Sequence, residues 1–333
     1  MTGTRSAARI ALLIVTWVMR LVAVILVIAT FNFVLVRAAP GDPAMVMAGQ
    51  SGGADPKILD DLRKEYGLDK PYLVQLATHL GRVLTLDLGY SYRQRRPVLD
   101  LILERLPATL LLTLTAFSLA LLIGTTLGAL AGLAAGTIVD TLFTVLSLLL
   151  YATPVFWLGL MLVLVFSVTL GWLPPFGYET INAKMTAIER VLDIAKHMIM
   201  PVMSLAAIYL AIYARLMRSS IIEVSHQDFI KTARAKGLAP SRIVVGHMLR
   251  NALVPVVTVA GMQAGALVGG AVVIETVFAW PGLGRLTFEA VLQRDYPVLL
   301  GIFLILSIIV IALNLVTDLI YRLIDPRMTT EAA

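Results

Sequence analysis

A short charged stretch, Asp228-Phe-Ile-Lys231-Thr232-Ala233-Arg234-Ala-Lys236-Gly237-Leu238, lies between two long apolar ones. Within residues 221–250 five basic side chains, Lys231, Arg234, Lys236, Arg242 and Arg250, stand against only Glu223 and Asp228. Gly237 follows a helix-forming run and precedes Leu-Ala-Pro240-Ser241, where Ser241 is placed to cap a second short helix. The spacing predicts a helix–turn–helix that another protein can grip. Ala233 and Gly237, being small, would let that protein come close. The plainer reading is a loop made basic by membrane topology alone.

A second candidate is Glu275, just inside an apolar run, with Arg285 ten residues on. A carboxylate at such a depth needs a partner or water, so it marks either an ion pair closing one end of a pathway or a contact for substrate. Trp280 and Tyr296 bracket the segment that follows, where the plain expectation is an aromatic belt at head-group level. Asp318 is expected to pair with Arg322 one turn away.

Other chemistry finds no support in the residues. No G-x-x-x-x-G-K-[ST] phosphate loop is present, and Gly282-Leu-Gly284 lacks the third glycine of a dinucleotide fingerprint. His79, His197, His226 and His247 are scattered without ligand spacing, so no metal site is expected. The absence of cysteine excludes disulfides and a thiol nucleophile.

The elements that must position these residues are membrane helices. The chain has 333 residues, of which 59% are hydrophobic and 14% charged, with a mean hydropathy of +0.87. Soluble domains are less apolar and nearly twice as charged. The net charge of +6 therefore speaks of orientation and lipid contact rather than nucleic acid. Six spans are predicted, at about 17–36, 107–135, 138–170, 197–217, 253–278 and 297–321, with Pro107 starting the second helix. Residues 1–16 read as a cytoplasmic or interfacial lead-in, with a cleavable signal peptide as the rival. Residues 37–104 read as a small extracytoplasmic domain, 105–325 as the helical core containing the loop 218–252, and 326–333 as a tail. Arg5, Arg9 and Arg20 put the N-terminus in the cytoplasm, and six spans return the basic loop and the C-terminus to that side.

Gly124, Gly128, Gly132 and Gly136 recur every four residues in the second span, and Gly261, Gly265 and Gly269 in the fifth. That period places each set on one helix face, where another backbone can come close. The partner of each stripe, inside this chain or outside it, is left open by the spacing.

Several short motifs share an order and spacing with one family. They are Arg37-Ala-Ala-Pro-Gly-Asp42-Pro43, Lys64-Glu-Tyr-Gly-Leu-Asp-Lys-Pro71, Leu86-Asp87-Leu-Gly89-Tyr-Ser91, Leu106-Pro107-Ala-Thr109, Glu275-Thr-Val-Phe-Ala-Trp280-Pro-Gly-Leu-Gly284-Arg285 and Arg294-Asp295-Tyr296-Pro297. With the basic segment they resemble the ABC importer permeases of the oligopeptide/dipeptide family, the first of its two permease subunits, over roughly residues 20–327. Lys231-Thr232-Ala233 stands where importers in general carry Glu-Ala-Ala, a departure that suits the peptide branch.

The resemblance implies an all-α polytopic fold of the type I importer class, with six transmembrane helices and a small extracytoplasmic domain after the first. It implies that Asp228, Lys231, Thr232, Ala233, Arg234, Lys236, Gly237 and Leu238 form a coupling loop seated in an ATPase subunit. It further implies a second permease subunit, two ATPase subunits that bind ATP and Mg, a substrate-binding protein outside the membrane, and no cofactor or catalytic site in this chain. Peptides, nickel chelates, glutathione, opines and oligosaccharides are cargoes of the family. An ion-coupled secondary transporter and a membrane enzyme are the rivals from other classes, both disfavoured by the lack of polar clusters in mid-span.

Overall fold

The structure, a computed structural model, describes residues 15–16, 19, 22–34, 59–60, 63–64, 70–91, 93–181 and 184–324, and only the backbone of 264–270 and 318–324. Residues 1–14 of the lead-in, the motif 37–43 and the side chains of Asp318 and Arg322 lie outside what is described. The chain gathers into two units, one of residues 1–106 with 286–311, the other of 107–285 with 312–333.

In the first unit, an apolar helix α1 (Val22–Val34) is followed by α2 (Tyr72–Leu84) and a small antiparallel hairpin, β1 (Tyr90–Ser91) with β2 (Arg96–Pro97). Ala29, Val83 and Leu304 form its small buried cluster. Asp295, 4% exposed, accepts a hydrogen bond from the Ser91 hydroxyl, which in turn accepts from the Gln94 amide at 3.0 Å. The hairpin is thus tied to the segment that opens the last helix.

A long helix, α3 (Val98–Leu133), carries the chain into the second unit. Pro107 lies inside it, not at its start as the sequence predicts. The buried face explains the difference. Leu101, Ile102, Ala108, Leu112, Ala116 and Ala120 hold one helical stripe across the proline, so packing outweighs one missing hydrogen bond.

The predicted third span is likewise not one straight helix. It is α4 (Ile138–Ala152) and α5 (Val155–Leu162), the latter running into a π-helical turn (Val163–Thr169), and the pair is bent by 103°. Pro154 causes the break: it lacks the amide and holds Thr153 extended, at φ −79° and ψ 125°.

Helix α6 (Ala187–Ser225) is the centre of the second unit. It begins ten residues before the predicted fourth span, behind a capping box in which Thr186 and Glu189 satisfy each other's amides. Its buried stripe runs from His197 to Val224 and includes Tyr213, which is fully buried. A short helix α7 (Asp228–Ala235) precedes α8 (Pro240–Ile243), which continues through a π-helical turn (Val244–Leu249) into α9 (Arg250–Val277). Helices α10 (Leu283–Gln293) and α11 (Tyr296–Ile324) complete the chain. Among the described residues four helices are long and apolar enough to cross a membrane, or five if the bent pair counts as one span.

Candidate functional site

Three places in the structure hold the residues singled out by the sequence. The first is a seam between α3 and α6. A Cβ on Gly124 would stand 2.8 Å from the Leu210 carbonyl oxygen, and one on Gly132 would stand 2.8 Å from Ile221 Cβ and 3.0 Å from the Arg218 oxygen. Between them, a Cβ on Gly128 would overlap the backbone of Ala214. The three glycines meet α6 at successive turns, because a period of four on one helix matches the rise of its neighbour. Gly136 does not extend this seam. It lies beyond the end of α3, in open space at φ +82°, and serves the turn into α4. Gly261 is buried in α9, while Gly265 and Gly269 fall in the stretch described by backbone alone.

The second place is a buried knot at the end of α9. Glu275 is 0% exposed. Its carboxylate accepts from the Thr109 hydroxyl at 2.7 Å and from the Arg285 amide at 3.0 Å. The same Thr109 oxygen accepts from the Leu283 amide at 2.7 Å. Gly282 passes so close that an added Cβ would fall on the carboxylate, and one on Gly284 would stand 2.5 Å from Val272 Cα.

Trp280 is fully buried and donates its indole N–H to the Ala108 carbonyl at 2.9 Å. It is therefore a core residue and not part of a head-group belt, since its one polar atom is satisfied inside the protein. Arg285 does fold back toward Glu275, through its amide, while its guanidinium donates to the Ala279 carbonyl at 2.9 Å. Ala279 itself has φ +50°, a left-handed cap that the Trp280 amide closes onto the Glu275 carbonyl at 2.8 Å.

Thr109 was not singled out from sequence as a functional residue. Its signal is position: a threonine two residues after Pro107, on the buried face of α3. Thr109→Val keeps the shape but removes a donor to a buried carboxylate and an acceptor for a buried amide. The expected cost is about 2–4 kcal/mol, read as a clear fall in the thermal unfolding temperature of the detergent-purified chain. Thr109→Ser is expected to stay near wild type, and equal stability of all three would show that this knot holds nothing together.

The third place is the turn α7–α8. Helix α7 is amphipathic: Ile230 (0% exposed) and Ala233 (6%) pack into the chain's own core with Ile243 and Met248. Asp228, Lys231, Thr232, Arg234 and Lys236 point outward, with Lys231 Nζ 2.8 Å from Asp228 Oδ1. The helix ends in a Schellman motif. The Gly237 amide donates to the Arg234 carbonyl at 2.9 Å and the Leu238 amide to the Ala233 carbonyl at 3.3 Å, with Gly237 at φ +73°. Leu238 tucks partly under the core, as the motif requires.

Two expectations change here. Ala233 faces inward, so it is not on the free surface where a partner would sit. Ser241 does not cap α8; Ala239 occupies that position and Pro240 opens the helix, because proline is preset for the first helical residue. Phe229, 40% exposed, is a residue that sequence reasoning passed over. Its signal is its place beside Ile230 and one turn before Ala233, at the edge of the buried face of an eight-residue helix.

The comparisons with known proteins concern the chain as a whole. The family described as "Binding-protein-dependent transport system inner membrane component" matches residues 124–330, and its N-terminal companion matches residues 10–113. A putative peptide transport system permease protein of Brucella abortus is 40% identical over 316 residues, covering 95% of this chain and 98% of that one. The oligopeptide transport system permease protein AppB of Bacillus subtilis is 40% identical over 92% of this chain and 96% of its own. The dipeptide transport system permease protein DppB of Escherichia coli is 39% identical over 91% and 96%. Among solved structures, the inward-facing MetNI methionine ABC transporter is similar with a TM-score of 0.54 and 20% identity, over 68% of this chain and 97% of that one, a likeness of fold. A helical membrane chain, sealed by a glycine seam, knotted at Glu275 and matched along nearly its whole length, belongs to the family of binding-protein-dependent transport system inner membrane components, the permease subunits of ABC importers.

Proposed function

We propose that this chain forms half of the translocation pathway of an ATP-driven importer of di- or oligopeptides. The observation that carries the cargo is the 39–40% identity to peptide permeases across more than nine-tenths of the chain. The proposed assembly pairs it with a second permease subunit, two ATPase subunits that bind ATP and Mg, and an extracytoplasmic binding protein, in the cytoplasmic membrane of a prokaryote. Six spans, with α1 as part of the first, place both termini and the α7–α8 turn in the cytoplasm.

The turn is the coupling element. Its outer face is charged, so it resists burial in lipid, and its inner face joins the same buried cluster as α6 and α9, so a push on α7 is passed on through α8 and that cluster. A Schellman cap and a buried Ile230 fix its shape against the core. Glu275, Thr109 and Trp280 serve as a fixed knot at the opposite end of the core. All three are buried and hydrogen-bonded to one another or to backbone, so the knot holds the pathway's outer end in shape instead of contacting cargo.

Uptake in cells expressing the whole transporter tests this reading. Labelled di- and oligopeptides should accumulate in an ATP-dependent way, and a reporter joined after Lys236 should be active on the cytoplasmic side. Accumulation of a nickel chelate or glutathione with no peptide uptake would reject the cargo, and a reporter active only outside would reject the orientation.

A further inference from the structure

Helix α4 stands outside the apolar core of its unit. Its buried residues are Asp140 and Ser147, both polar, and none of its side chains joins the apolar cluster that α3, α6 and α9 share. Ile138, Leu142, Val145 and Leu149 are exposed instead. Apolar burial therefore does little to fix where α4 lies against its neighbours.

Two arginines of α6 hold it. Asp140, 5% exposed, meets Arg218 at two points: Oδ1 accepts from Nε, and Oδ2 accepts from Nη2 at 2.8 Å. Oδ2 also accepts from the Gly136 amide at 3.0 Å, which brings the turn before α4 into the same contact. Arg218 starts from a fixed base, because its carbonyl lies in the glycine seam beside Gly132. One turn earlier on α6, the guanidinium carbon of Arg215 lies 4.3 Å from the centre of the Tyr151 ring, near the far end of α4.

A two-point ion pair fixes direction as well as distance, whereas apolar faces can slide. Arg218 stands about two turns before Ser225, where α6 ends and the chain passes into α7. Beyond the bend at Pro154 the next helix is anchored elsewhere. Gly159 of α5 packs on Phe278 at the end of α9, where an added Cβ would stand 3.1 Å from the ring. Helix α4 thus joins a grip near the coupling turn to a helix seated beside the Glu275 knot. We propose that Asp140 and Arg218 are positioning residues for coupling. They make α4 travel with α6 when α7 is pushed, and so carry that movement to α5. The proposal rests on the reading of α7 as the coupling element.

The test uses the whole transporter and reads stimulation of ATP hydrolysis by the loaded binding protein, with complex yield measured beside it. Asp140→Asn combined with Arg218→Met keeps an acceptor for the Gly136 amide and leaves no buried charge unpaired, so the fold should survive. The ATPase subunits should still co-purify, since α7 is untouched, while stimulation should fall about fivefold. A pair that only stabilises the chain would leave stimulation of the assembled complex at the wild-type level, and that result overturns the proposal. Arg218→Lys keeps the charge but loses the two-point geometry, and should lose part of the stimulation. If the double variant does not assemble, wild-type stimulation in Arg218→Lys overturns the proposal instead. Gly237→Val in the same assay separates the two readings. Loss of stimulation there, beside wild-type stimulation in the ion-pair variants, rejects the grip and leaves α7 as the coupling element; wild-type stimulation in all of them rejects both.

Discussion

Gly128→Leu is expected to abolish assembly of the transporter. The position has no room for a methyl group, because a Cβ there would lie on the backbone of Ala214 in α6. Overpacking against a side chain can be relieved by a rotamer change, but overlap with backbone requires the two helices to part. Parting them would empty the seam that Gly124 and Gly132 share, at a cost on the order of 3 kcal/mol or more. That is a large fraction of a marginal stability of about 5–15 kcal/mol. The measurement is the yield of intact complex and its thermal stability, beside Thr126→Leu as control. Thr126 is exposed on the same helix two residues away, so its leucine adds bulk toward lipid only. Equal yield and stability of the two variants would show that α3 and α6 do not meet through this glycine.

Phe229→Asp is expected to release the ATPase subunits while leaving the membrane fold untouched. Phe229 is partly exposed at the edge of the buried face of α7, whereas its neighbour Ile230 is buried. A partly exposed aromatic between the core and a charged face suits an interface anchor, and losing such an anchor costs about 2 kcal/mol or more, roughly thirtyfold in affinity. Gly237→Val should act on the same interface through geometry. At φ +73° a β-branched residue is strained by about 1–2 kcal/mol, and because the surrounding space is open that strain would reshape the turn without clashing. The readouts are co-purification of the ATPase subunits and stimulation of ATP hydrolysis by the loaded binding protein. Ala233→Glu is not a clean test, since Ala233 is buried and a carboxylate there would disrupt this chain's own core. Normal stimulation in both Phe229→Asp and Gly237→Val would mean that α7 is not the coupling element.

The membrane class of the fold was legible because its causes are local. Long apolar runs must cross or be buried, and a run of basic residues with a glycine must form a turn outside the bilayer. The seam was half legible. A period of four announces a packing face, but that α6 receives Gly124, Gly128 and Gly132, and that Gly136 stands apart, depends on where α3 ends.

Proline misled in both directions for one reason. At Pro154 the chain breaks by 103°, and at Pro107 it does not. The difference lies in what packs on either side, a term that no local rule contains. Glu275 was legible as an acid that needs partners, and Arg285 as a residue able to return to it. Its contact with Thr109, 166 residues earlier in the chain, was not.

By itself the sequence determined a helical membrane protein with a basic turn, because hydropathy, charge and turn chemistry act over a few residues, and its likeness to permeases rested on the order of its motifs. Tertiary structure alone decided which side of each helix is inside. It turned Ala233 inward, left Phe229 at the edge of that buried face, buried Trp280, used up Asp140 on Arg218 and left Arg215 facing an aromatic ring. Those outcomes follow from helix rotation and from contacts between distant segments, in which each residue's environment is set by its neighbours in space.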